Sequence, residues 1–302
     1  MLEILTRAGS FIAIIVLGFL LKKIGVFKEE DFSVLSKICI RITLPAAIIT
    51  SFAGKEIDPS LLVLLFLGMG CGVLYILVGF LLNLRSSREK RAFEVLNLPG
   101  YNIGAFTMPF AQSFLGSMGA IIASLFDVGN AFVCLGGSYG VASLVKDGNG
   151  FSVKRLFQKL LTSVPFLCYV TMLVLNIARI SLPDPVGSLA QIIGNANPFM
   201  AMFMIGVGFE LTSDRSKLGT VIRIVSVRYV IAAALAVVCW FALPFSEEIR
   251  KALVILVFSP VSAAVPAFTQ ELKEDVGLSS SINSICIVIS IVVIVALLSV
   301  MA

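Results

Sequence analysis

Long apolar runs alternate along the chain with short stretches that gather most of the charged side chains. Ten runs stand out, at about residues 7 to 22, 33 to 53, 59 to 83, 93 to 116, 119 to 145, 156 to 178, 186 to 211, 220 to 242, 251 to 271 and 279 to 301. A helix crossing the hydrocarbon core of a bilayer needs roughly 20 apolar residues, and at about 30 residues per span with its loop the chain holds ten. The pattern predicts an all-α polytopic membrane protein of about ten transmembrane helices, with no separate soluble domain.

The loops on alternate sides differ in charge. One side gathers Lys22, Lys23, Lys28, Arg85, Arg88, Lys90, Arg91, Lys146, Lys154, Arg155, Lys159, Arg215, Lys217 and Lys273; the other has Arg7, Lys55, Arg179, Arg250 and Lys251. Basic loops stay in the cytoplasm, so both termini are expected outside it, in the inner or plasma membrane of the cell. Glu3 and Arg7 precede the first run and Lys22 and Lys23 follow it, the reverse of a secretory signal peptide, so this run is expected to remain as a span.

Prolines recur at a long interval. Pro45 in run two (RITLPAAIIT) and Pro198 in run seven (GNANPFMAMF) lie 153 residues apart; Pro109 in run four and Pro266 in run nine lie 157 apart. The expected organisation is a first five-span repeat over 1–145, a cytoplasmic linker at 146–155 and a second repeat over 156–302. An odd number of spans per repeat inverts the second relative to the first, an arrangement that places substrate at the repeat interface in secondary transporters.

Run four, NLPGYNIGAFTMPFAQSFLG, and run nine, ILVFSPVSAAVPAFTQEL, cannot stay straight helices. Pro109, Pro260 and Pro266 lack the amide that the turn before them requires, Gly104 eases non-helical backbone, and freed polar groups inside a bilayer must face protein or water. If the two breaks cross, amides at half-helix N-termini point at the crossing and favour a negative ligand group. The candidate substrate-binding set is Asn102, Gly104, Thr107 and Pro109 with Ser262, Pro266 and Gln270. The alternative is that these residues only kink packed helices.

Asp127, deep in run five, is costly in lipid and is a candidate for binding a coupling proton or cation, with Asn130 one turn on holding its orientation. A structural ion pair with Arg41 or Arg228 is the other reading. Those two arginines lie about eight residues inside their runs; they either snorkel to the headgroups or draw an anionic substrate inward. Asn195 and Asn197 are expected to satisfy backbone at the Pro198 kink. Gly68, Gly70, Gly72, Gly206 and Gly208 are expected at close helix contacts.

Composition narrows the chemistry. The 302 residues are 58% hydrophobic and 14% charged, against about 25% charged in soluble domains. There is no histidine, which removes imidazole metal sites and Ser-His or Cys-His nucleophile pairs, so an enzyme is not expected. The six cysteines lie singly in separate runs and suggest neither metal site nor disulfide framework. The net charge of +5 belongs to the loops and orients the protein; no nucleic acid partner is expected.

The order of RITLPAAI in run two, Asn102 seven residues before PFAQSFLG in run four, ANPFMAMFMIGVGFEL in run seven and a proline-broken run nine leading into QELKED resembles the auxin efflux carrier family of membrane transport proteins. The resemblance implies ten spans as two inverted five-helix repeats, broken and crossing helices four and nine, and elevator-type alternating access. It maps the family's crossing asparagine onto Asn102 and its crossing prolines onto Pro109 and Pro260 or Pro266. Many members carry an asparagine near the position of Ala264, so that half of the site is expected to differ here. The long loop of the plant carriers is absent, so auxin itself is not implied; bacterial-type members are associated with small carboxylates such as malate or malonate. The expected function is secondary active or potential-driven transport of a small organic anion, with no cofactor beyond a coupling proton or sodium ion. Expected partners are that anion, the lipid bilayer and a second copy in a homodimer. A sodium-coupled symporter of the bile-acid type, an ion channel and a non-transporting membrane sensor are the rivals.

Overall fold

The computed structural model describes residues 2–148, 151–210 and 217–301, with residues 2–4 described as backbone only. Asn149 and Gly150 of the expected linker, Leu211 at the end of run seven, and Arg215 lie outside the described residues. Among the described residues every regular element is helical. In chain order these are α1 (Leu2–Lys23), α2 (Asp31–Ile38), α3 (Leu44–Phe52), α4 (Val63–Leu81), α5 (Arg88–Asn97), α6 (Met108–Phe132), α7 (Ser138–Asp147), α8 (Val153–Thr162), α9 (Val164–Ile177), α10 (Asp184–Gly194), α11 (Asn197–Val207), α12 (Leu218–Phe241), α13 (Glu247–Val257), α14 (Val265–Glu271) and α15 (Val276–Val300).

The prolines explain most of the divisions. Pro45, Pro109, Pro198 and Pro266 are each the second residue of a helix, α3, α6, α11 and α14. That is where a missing amide leaves no hydrogen bond unmade. Wide π-type turns precede two of them, Cys39–Thr43 before α3 and Ile103–Thr107 before α6.

Among the described residues six helical stretches are long and apolar enough to cross a membrane: Leu5–Lys23, Asp31–Phe52, Pro59–Leu81, Ile103–Asp147, Leu218–Phe241 and Val276–Val300. The pair α8 and α9, bent by 77°, makes a seventh if it is one span. The expected count of about ten spans is therefore not reached by helix length and composition among the described residues. Runs seven and nine are each divided into helices of 7 to 11 residues, too short to cross alone. The second half of run four and all of run five form the single 45-residue stretch Ile103–Asp147, turned at Gly116, whose φ of 64° and ψ of −156° suit glycine. Run six bends because Ser163 caps α9 and Pro165 opens it.

Helices sort into two packing groups. In one, α1 lies against α11, and α3 against α9 and α10; in the other, α4 packs on α5 and α6, α6 on α13, α12 on α13 and α15, and α14 on α15. Glycine lets the tightest pairs touch. A Cβ on Gly68 would land on the carbonyl of Phe126, and one on Gly129 on the carbonyl of Leu65; Gly206 faces Ile15 and Gly18 faces Phe203 in the same reciprocal way. Gly70, expected at such a contact, meets open space.

Candidate functional site

Runs four and nine cross, and backbone joins them: the Asn102 amide donates to the Pro260 carbonyl at 2.9 Å. The Thr107 and Ser259 hydroxyls pair at 2.5 Å. On one side of the crossing the C-terminal ends of α5 and α13 bring their last carbonyls together. A helix C-terminus is the negative end of the backbone dipole, and its carbonyls need donors. Arg228 of α12 supplies them, donating to Leu98 O at 2.5 Å, Gly100 O at 2.8 Å and Ser259 O at 2.8 Å. The guanidinium also lies over the Tyr75 and Tyr101 rings, and the residue is only 1% exposed. Arg228 therefore neither snorkels to the headgroups nor offers a free charge to an anion; it is spent on the backbone of the crossing.

On the other side the second half-helices begin, with their amide ends towards a cavity of about 160 Å³. Its wall includes Asn102, Gly104, Ser262 to Ala264, Asp127, Asn130, Cys134 and Tyr169, with Leu44 and Phe166 as apolar neighbours. The volume equals about five water molecules of liquid, room for a small solute. Asn102 is buried in this wall, and its backbone makes its only hydrogen bonds among the described residues, leaving its carboxamide unpartnered. A Cβ on Gly104 would press on Leu44 at 2.7 Å and stand 3.6 Å from Asp127 Oδ2, so this glycine keeps the cavity floor open.

Asn130 holds the broken backbone as well as the acid. Its Oδ1 accepts from the Tyr101 amide at 3.0 Å, and its Nδ2 donates to the Tyr101 carbonyl and to Asp127 Oδ1, both at 2.8 Å. The Tyr169 hydroxyl donates to Asp127 Oδ2 at 3.0 Å. Among the described residues Asp127 meets no basic side chain, so the ion pair with Arg41 or Arg228 weighed from the sequence does not form. Arg41 is exposed on the π-type turn of run two and does not line the cavity.

The structure thus brings together Asn102, Gly104, Ser262, Asp127 and Asn130. It does not bring in Thr107, whose hydroxyl is taken by Ser259, or buried Pro109. Pro266 and Gln270 line a different cavity, beside Lys22, Glu29, Glu210 and Asn283. Asn197 bonds not to its own kink but to run two, accepting from the Thr43 hydroxyl at 3.0 Å, and Asn195 is exposed. Sequence reasoning missed Tyr169; a tyrosine amid LCYVTM in an apolar run was the available signal. It also missed buried Glu94, which pairs with Asn83 and Arg223 and ties α5 to the turn after α4 and to α12.

Comparison with known proteins agrees with the resemblance. Residues 8–146 match the family described as membrane transport protein, the auxin efflux carrier type. An uncharacterized transporter of Methanothermobacter thermautotrophicus is 24% identical over 297 residues, spanning 94% of this chain and 93% of that protein.

Proposed function

From the match of residues 8–146 to the membrane transport protein family, we propose that the chain belongs to this auxin efflux carrier-type family and is a secondary active or potential-driven transporter of a small organic anion, a carboxylate. The observation that carries the reading is the unpartnered Asn102 carboxamide in the wall of the crossing cavity, beside the amide ends of two half-helices. Asn102 would hold one carboxylate oxygen, and the first-turn amides after Asn102 and Ser262 would complete the cradle, with Gly104 leaving room.

Asp127 stands in the same wall. A carboxylate there repels an anion unless it carries a proton, so anion and proton binding would be linked through Asp127, with Asn130 and Tyr169 as its positioning partners.

The architecture proposed is ten spans in two inverted five-helix repeats. Three hydrogen-bonded pairs support it: Thr43 with Asn197, Tyr75 with Arg228 and Thr107 with Ser259 join residues 154, 153 and 152 positions apart. In a repeat of that interval a residue touching its own counterpart lies on the internal two-fold axis. The two packing groups supply a frame (spans one, two, six and seven) and a moving body (the remaining six) for elevator-type alternating access. Both termini would lie outside the cytoplasm.

The test is flux in proteoliposomes. A carrier saturates and exchanges unlabelled internal for labelled external mono- or dicarboxylate. A flux that rises linearly with concentration and shows no counterflow would refute it. Imposed proton, sodium and potential gradients then separate the driving forces.

A further inference from the structure

Helix α8 is amphipathic on a helical net of 3.6 residues per turn. Val153, Phe157 and Leu161, at intervals of four, form one stripe and are 55, 51 and 61% exposed. Leu160 turns inward and is buried, and α8 rests on the π-type turn Val133–Gly137. A third face is bound to run nine: Arg155 and Lys159 both pair with Glu271 of α14, and they lie over the Tyr139 and Phe268 rings. Lys154, exposed, borders the bare stripe two turns from Leu161.

We propose that α8 lies in the plane of the membrane, at headgroup level on the cytoplasmic side, and takes anionic phospholipid as its ligand. The inference rests on the reading of the chain as a membrane protein, and three observations carry it further. The first is the 77° bend between α8 and α9. With α9 along the membrane normal, α8 lies within about 13° of the plane (90° less 77°). The second is depth. The 14 residues of α9 reach about 21 Å at 1.5 Å each, short of a hydrocarbon core of about 30 Å. An interfacial helix sinks its apolar face about 5 to 10 Å, which closes the gap. The third is charge. Among the described residues Glu271 is the acid that faces Lys154, Arg155 and Lys159 of α8 by pairing with the latter two, leaving net positive charge beside an apolar stripe. That combination fits acyl chains below and phosphate groups above. Lys154 is the headgroup contact, and Val153, Phe157 and Leu161 are the anchors.

The experiment uses the full chain in vesicles, with Trp240, the single native tryptophan, replaced by phenylalanine and Phe157→Trp introduced. Bromines placed just below the headgroup are expected to quench the new tryptophan at least twice as strongly as bromines near the bilayer centre, and aqueous iodide to quench it weakly. Brominated phosphatidylglycerol is expected to quench more than brominated phosphatidylcholine, and Lys154→Gln to reduce that preference about fivefold, the factor given by roughly 1 kcal/mol per basic residue near an anionic surface. Inorganic phosphate should leave the preference unchanged; if it abolishes the preference, the site takes free anions and the proposal fails. Strong iodide quenching with no bromolipid effect also overturns it. The unaltered chain separates this failure from failure of the membrane reading, because Trp240 on α12 reports bilayer insertion independently. Leu161→Trp on the same stripe gives the same readout should Phe157→Trp not fold.

Discussion

Replacing Arg228 with methionine removes the donor that holds the crossing together. The guanidinium serves the carbonyls of Leu98, Gly100 and Ser259, from two different broken segments, and nothing else among the described residues donates to those three oxygens. A buried carbonyl left without a partner costs about 1–3 kcal/mol. Against the loss at three carbonyls, methionine relieves the burial of the guanidinium charge, which offsets part of it and leaves a net loss of about 3–5 kcal/mol. For a chain of this size that lowers the unfolding midpoint in detergent by on the order of 10 °C. Arg228→Lys keeps the charge but not the planar fork, since one ammonium cannot reach three carbonyls at the guanidinium's spacing; it is expected to recover about half of the loss. Thermal unfolding of the purified variants reads this directly. If Arg228→Met is as stable as the unaltered protein, yet raises the half-saturating substrate concentration in a way Arg228→Lys reverses, the side chain attracts the anion and the capping account is wrong.

The Asn102 carboxamide has no partner among the described residues, so Asn102→Ala should leave unfolding unchanged and raise half-saturation about five- to tenfold, equivalent to one lost hydrogen bond of about 1–1.5 kcal/mol; unchanged affinity in counterflow would remove the crossing cavity from the mechanism. Asp127→Asn should keep exchange but lose its dependence on an imposed proton gradient, and persistence of that dependence would make Asp127 structural. Gly104→Leu is expected to abolish substrate protection against thermal unfolding by filling the cavity, and retained protection places the substrate elsewhere. Gly206→Val drives a side chain into the Ile15 carbonyl and should destabilise by at least about 1–3 kcal/mol; a neutral result would mean that α1 and α11 separate freely.

The prolines were the legible part of the fold, because a missing amide has the same consequence in any surroundings. Pro45, Pro109, Pro198 and Pro266 marked helix starts, and the two runs richest in breaks are the ones that cross. Apolar length was less informative. A run drawn from 156 to 178 conceals the corner at Ser163, where a capping hydroxyl and Pro165 outweigh hydropathy. The site divides similarly. Asn102, Asp127 and Asn130 could be named as polar groups in apolar runs, but the carbonyls that claim Arg228 are backbone atoms of residues 31 to 130 positions away, and side-chain identity carries no trace of them.

The reciprocal glycines have a consequence for how the molecule can move. At Gly68 with Gly129, and again at Gly18 with Gly206, each helix seats its carbonyl in the hollow left by the other's missing side chain. Such a pair is an indexing notch: a shift of one residue replaces the hollow with a bulky group, so neither pair can ratchet along its axis. Each notch falls within one packing group, Gly68 with Gly129 in the α4–α6 group and Gly18 with Gly206 in the α1–α11 group. For the proposed elevator-type motion the plane of slip would run between α3 and α6 and between α1 and α15, where the two groups meet. A covalent tether across that plane should arrest the cycle, and one within either group should leave it turning.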